Sequence, residues 1–161
     1  MSIKRRTARE KVLQALYARE LSGNPLETIL QETMEPLAQD EKTHLYALAL
    51  ARYADTEAEQ IDKRVKPHLA NWEYSRLAII DKILIRMGIC EFIYFEDIPP
   101  KVTINEMIEI ARRYSTDQSD KFVNGILDAI LTDLKKDGEL HKSGRGLVEL
   151  SVAKKGKKKR R

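Results

Sequence analysis

Two places in this 161-residue chain carry side chains with chemistry to offer, and in both it is the chemistry of binding. The first is the cationic start: Lys4, Arg5, Arg6 and Arg9, with Lys11 close behind. Cations in the first turns of a helix oppose its macrodipole, so their position is locally unfavourable and a phosphate partner would offset it. Arg9 projects above Val12 and Leu16 and suits an internal salt bridge equally well. The second place is Lys121-Phe122. At about 100° per residue, Val123, Ile126, Leu127, Ile130 and Leu134 share one arc, and Phe122 lies about 110° from its centre. A shoulder aromatic beside a cation can stack an unpaired base, worth ~1–3 kcal/mol, where the plainer role is core packing. Single-stranded RNA is read in this way more often than duplex DNA.

Two further positions suit a protein partner. Tyr17 flanks the first apolar stripe, about 100° from Leu16, either as a rim tyrosine with a wet hydroxyl or as an interface contact. Asp81 interrupts an otherwise apolar run, so it is either internally paired or part of a partner-facing patch.

Nothing in the chain assembles into a catalytic pattern. His44, His68 and His141 are scattered and share no ligand spacing with Cys90 or with acidic pairs. There is no phosphate-cradling GxxxxGK[ST] loop, no GxGxxG and no nucleophile elbow, and KSGRG at 142–146 lacks the strand such loops follow. Cys90, alone in an apolar helix, reads as a small core residue. A single cysteine also excludes an internal disulfide and a multi-cysteine zinc site, and it fits a reducing cytoplasm. No cofactor is implied. The start lacks the apolar core of a secretory signal, and the longest apolar stretch, 77–95, is interrupted by Asp81, Lys82, Arg86 and Glu91, so no membrane span is expected.

The elements that must position these residues read as helices throughout. Few Gly (7) and Pro (5), with 42% apolar residues, suit a compact helical body. A first helix is expected over Thr7–Ser22, with Val12, Leu13 and Leu16 inward, stopped by Gly23-Asn24-Pro25. A short helix follows at Leu26–Met34. One or two more helices cover 41–55 and 56–66, with Leu45, Leu48, Ala49, Tyr53, Ile61 and Val65 inward, before a break at Pro67 and Asn71-Trp72. Residues 75–95 are apolar nearly all round, as in a central helix, and Gly88 within it suggests close helix–helix approach. Thr103 and Glu106 have capping-box spacing, followed by an inward face of Ile104, Met107, Ile108, Ala111 and Tyr114 and an outer Glu109–Arg113 pair. The last helix ends near Gly138. The expectation is an all-α bundle of six to seven helices over 1–138, with 139–161 a basic, disordered tail.

Charge is distributed unevenly. Residues 139–161 hold nine Lys or Arg against Glu139 and Glu149, a net +7 that leaves −3 on residues 1–138 of the chain's +4. Positive charge gathers at the two ends, which fits a polyanionic partner.

Three segments then carry a resemblance: RRTAREKVLQALY (5–17), RLAIIDKILIRMGICEF (76–92) and IPPKVTINEMIEIARRYSTDQSDKFVNGILDAI (98–130). With the helices between them, they resemble the NusB family over nearly all of residues 3–136, the INE, A-R-x-Y and KFVNG elements being the most specific. The resemblance implies two packed helical subdomains and a non-catalytic role. It implies pairing with the ribosomal protein NusE, binding of boxA RNA in ribosomal RNA leader transcripts, and entry into an RNA polymerase antitermination complex tied to ribosome biogenesis. It puts the family's arginine-rich start on Arg5, Arg6 and Arg9, its RNA-stacking aromatic on Phe122 after Lys121, its NusE-facing tyrosine on Tyr17 and its acidic partner contact on Asp81. Thr7 interrupts the arginine run, and the tail falls outside the match. A homodimer of the free protein is left open. NusB-like domains also head certain ribosomal RNA cytosine methyltransferases, but no cofactor-binding domain follows here. The alternative is a helical adaptor whose RNA affinity is nonspecific and resides in the tail.

Overall fold

The first helix begins ahead of its apolar period. In the computed structural model, which describes residues 2–70 and 73–147 and side chains from Lys4 onward, α1 spans Ser2–Ser22 and takes in the whole cationic start. It ends where glycine can turn left-handed: Gly23 has φ 71° and its N–H reaches the Arg19 carbonyl. Then follow α2 (Leu26–Thr33), α3 (Glu41–Thr56), α4 (Ala58–Val65), α5 (Ile79–Tyr94), α6 (Pro100–Tyr114) and α7 (Ser119–Lys136). Asp40 caps α3 by accepting from the Thr43 N–H at 3.3 Å. Gly138, at φ 69°, ends α7 in a Schellman turn, with Glu139 N–H to Leu134 O and Gly138 N–H to Lys135 O. The seven helices fulfil the expected all-α class, with no strand among the described residues. The break expected at Asn71-Trp72 lies outside them.

The helices form two groups that share α5. Helix α1 packs on α2 and α3; α6 packs on α5 and α7; α1 and α3 meet α5 across the join. Helix α5 is buried on nearly every side, from Ile83 to Phe92, as its apolar sequence requires. The approach of α5 to α7 depends on Gly88, because a Cβ there would stand 2.7 Å from Leu127 Cδ2.

Three sequence expectations are corrected. Helix α3 buries Tyr46, Ala47, Leu50, Ala51 and Ala54, while Leu45 is 55% exposed and Tyr53 faces out. The alanines let α3 lie close to α1, so close approach outweighs side-chain size in choosing the face. The capping box at Thr103 and Glu106 does not form. Pro100, with no N–H to satisfy, opens α6 three residues earlier, and both side chains turn to charged partners in the interior. Tyr114 and Arg113 both reach across to Glu10 of α1, so Tyr114 is exposed and Glu109 pairs with Arg112 instead.

Past Gly138 the chain stays on the body. Residues 139–147, read from sequence as the start of the tail, are described and packed; the remainder, 148–161, lies outside the described residues.

Candidate nucleic-acid interface

The cations of α1 do not stand alone on their helix. Four of them find an acidic side chain from another element: Lys4 with Asp40 at 2.9 Å, Arg5 with Asp97 at 3.8 Å, Arg6 with Glu106 at 2.5 Å, and Arg9 with Glu91 at 2.8 Å. Tertiary neighbours thus supply the countercharge that the bare helix lacks, and a phosphate is not required to explain the placement. Arg5 also lies 4.3 Å above the Tyr46 ring. The Lys4–Asp40 pair is open to water, and exposed pairs of this kind are worth about 0–1 kcal/mol, so a phosphate can take that carboxylate's place at little cost, whereas in the Arg6 pair the carboxylate, Glu106, is buried.

Arg9 is different, and its assignment to RNA is corrected here to the internal salt bridge. It is 2% exposed and grips Glu91 with two nitrogens, Nε to Oε2 at 2.8 Å and Nη2 to Oε1 at 3.0 Å, with Nη1 3.4 Å from Glu106. Glu91 is fully buried and also accepts from Tyr46 Oη at 2.6 Å and Thr103 Oγ1 at 2.8 Å, so one carboxylate ties α1, α3, α5 and α6 together. Burial pushes that carboxyl up, but the Arg9 charge and the hydrogen bonds outweigh it and hold the group below its ordinary range. Burial beside this carboxylate raises the Tyr46 hydroxyl well above the usual range. Tyr46 carries no signal in the sequence, and Glu91 shows there only as one of four charges that interrupt an apolar run.

At the other end of α6, Lys121 is exposed and Phe122 is half-buried against the core, the shoulder position its projection predicts. The turn before them is fastened by Asp81, which accepts from Ser115 Oγ at 2.7 Å and Ser119 Oγ at 2.9 Å and is 6% exposed. Of the two sequence readings of Asp81, the internal one describes this geometry. Burial leaves little of the carboxylate to offer a partner. Tyr17, 39% exposed, borders a shallow depression between α1 and α2 with Lys11, Gln14 and Glu32.

Helix α6 packs on α7 and pairs with the start of α1 through Glu106 and Arg113. A groove of about 440 Å³ beside it is lined by Arg6, Glu10, Glu109, Arg112 and Arg113, and Arg112 continues to Asp120, the neighbour of Lys121, at 3.2 Å. The groove thus leads from Arg6 along α6 to Arg112 and, through its ion pair, to Asp120 in the first turn of α7. Among the described residues no cluster of His, Cys, Asp or Glu could hold a metal ion. Burial raises the Cys90 thiol far above the range of a reactive thiolate. No described helix is long and apolar enough to cross a membrane.

Comparison with known proteins agrees with this architecture. The chain is 46% identical to the transcription antitermination protein NusB of Chloroherpeton thalassium over 96% of its length and 74% of the relative's. It is 44% identical to that of Salinibacter ruber, covering 92% of this chain and 93% of the relative. The fold superposes on NusB of T. maritima with a TM-score of 0.75 at 38% identity, over 80% of this chain and 91% of that one. It matches a chain from a crystal structure of antitermination factors NusB and NusE in complex with double-stranded RNA with a TM-score of 0.73 at 26% identity, over 83% and 99%. The NusB family model itself matches residues 6–132, and the chain belongs to the NusB family of transcription antitermination proteins.

Proposed function

We propose that this chain acts without catalysis, in the cytoplasm, as an antitermination factor that binds boxA-type single-stranded RNA of ribosomal RNA leaders together with NusE. Through that pair it supports a processive RNA polymerase complex. The observation that carries the reading is the arginine-lined groove beside α6, with Arg6, Arg112 and Arg113 on its walls and Arg112 bonded to Asp120, the residue before Lys121 and Phe122. Exposed arginines take phosphates, and Phe122 offers a ring face to one unstacked base. Tyr17, with Leu21 one turn further on and 60% exposed, presents an apolar strip on α1 for a protein partner. The NusB and NusE structure with RNA supports both partners. RNA touching both proteins would couple their binding by ~1–3 kcal/mol.

The test is fluorescence anisotropy of a labelled boxA-type RNA with and without NusE, for the wild type and for Phe122→Asp. Tighter binding with NusE, lost in a mutant that stays folded, is the expected result. Binding indifferent to Phe122 and to RNA sequence, and abolished by removing residues 148–161, would reduce the protein to a helical adaptor with a basic tail.

A further inference from the structure

The segment after α7 has more contacts than a tail needs. Glu139 pairs with Arg64 of α4 at 2.5 Å, and Leu140 packs half-buried on the core. Lys142 Nζ donates to the Glu91 and Phe95 carbonyls at 3.0 and 2.8 Å, satisfying the end of α5 as a C-terminal cation should. The Ser143 N–H donates to the Glu96 carbonyl at 3.0 Å. Gly146 is buried directly against that carbonyl, where a Cβ would stand 2.1 Å from the oxygen. These contacts hold residues 139–147 as a strap across the end of α5. The family model's match ends at residue 132, ahead of the strap.

What the strap delivers is Arg145. It lines one side of an open groove of about 690 Å³ whose other walls are Arg5 and Arg6 of α1. The floor is apolar, formed by Ile98, Pro99 and Val102, the last 41% exposed. The groove's carboxylates face arginines already: Asp97 is paired with Arg5, and Glu106 with Arg6 and Arg9. An apolar floor under a rim of guanidinium groups suits a flat ring carrying a phosphate. The basic residues 154–161 carry the wrong charge to fill it.

We propose that the strap is part of the RNA interface, holding Arg145 opposite Arg5 and Arg6 so that the groove takes one unpaired nucleotide, its base on Ile98, Pro99 and Val102 and its phosphate on the arginines. This rests on the RNA-binding reading above and gives that surface a second nucleotide position, remote from Phe122.

Full-length protein and a short labelled single-stranded boxA-type RNA test it, with Arg145→Glu, Gly146→Ala and Phe122→Asp compared for RNA and for NusE binding. Arg145→Glu should weaken RNA binding roughly tenfold, and Gly146→Ala, which changes no charge but displaces the strap, should weaken it several-fold. NusE binding should stay as in the wild type for both. If Phe122→Asp weakens RNA binding while both strap variants match the wild type, the groove proposal falls and the RNA reading stands. If Arg145→Glu weakens binding and Gly146→Ala does not, Arg145 acts as unpositioned charge and the strap's role is refuted. If the strap variants lose NusE instead, the groove is a protein surface and the proposal is wrong. If the wild type does not bind the RNA at all, the RNA reading fails and takes this inference with it.

Discussion

Asp81 at the start of α5 accepts a 2.9 Å hydrogen bond from Ser119 at the start of α7, and the same carboxylate takes Ser115 at the end of α6. Two residues past Ser119 come Lys121 and then Phe122, so a buried acid in the central helix sets the orientation of the proposed base-stacking turn.

Asp81→Ala should therefore act through that turn. Removing the acceptor leaves the Ser119 hydroxyl, 1% exposed, with only its Ser115 and Thr116 neighbours, and the expected loss is ~1–3 kcal/mol in chemical denaturation. RNA affinity should fall with it, and amide exchange should quicken over residues 115–122. An unchanged denaturation midpoint with selective loss of NusE binding would instead mark Asp81 as a direct partner contact.

The Arg9–Glu91 pair should be costly to halve. Glu91→Ala or Arg9→Ala leaves a buried charge with its partner gone, and each should cost ~3–5 kcal/mol. The double variant Arg9→Met with Glu91→Leu should recover most of that, and a double-mutant cycle checks it. The same carboxylate predicts acid sensitivity. Its folded value lies below the ordinary 4.5, so its contribution is complete above that pH and is lost as pH falls through the folded value. Denaturation midpoints of the wild type should fall below about pH 4.5 more steeply than those of the double variant.

Strap docking should depend on pH in the opposite range. Burial pulls the Lys142 ammonium from its ordinary 10.5 down to about 8, against the raising influence of Glu91, Asp97 and Glu96. Between those values the undocked strap binds the proton more tightly than the docked one, so docking strengthens as pH rises from about 8 to 10.5 and is constant below. Methyl NMR of Leu140, half-buried on the core, should report it, and Lys142→Met should abolish the dependence. A dependence that survives in that variant would assign the titration elsewhere.

Several features were decided by the sequence alone. Periodicity placed the inward faces of α1 and α7 and the all-round burial of α5, because apolar area follows helical period whatever the neighbours are. Gly23 and Gly138 stopped their helices because the backbone there needs positive φ. Gly88 announced a close approach that Leu127 makes real, and the segments around 5–17, 76–92 and 98–130 carried the family. Only the tertiary structure decided which charges are available. Arg9 and Glu91 are 82 residues apart, Arg6 and Glu106 are 100 apart, and Asp81 and Ser119 are 38 apart. A helical period tells which face a side chain occupies but not what meets it there. For a charged group the partner and the burial settle its role, so Arg9 and Asp81 turned inward, and Lys142 and Gly146 brought Arg145 to the edge of a groove.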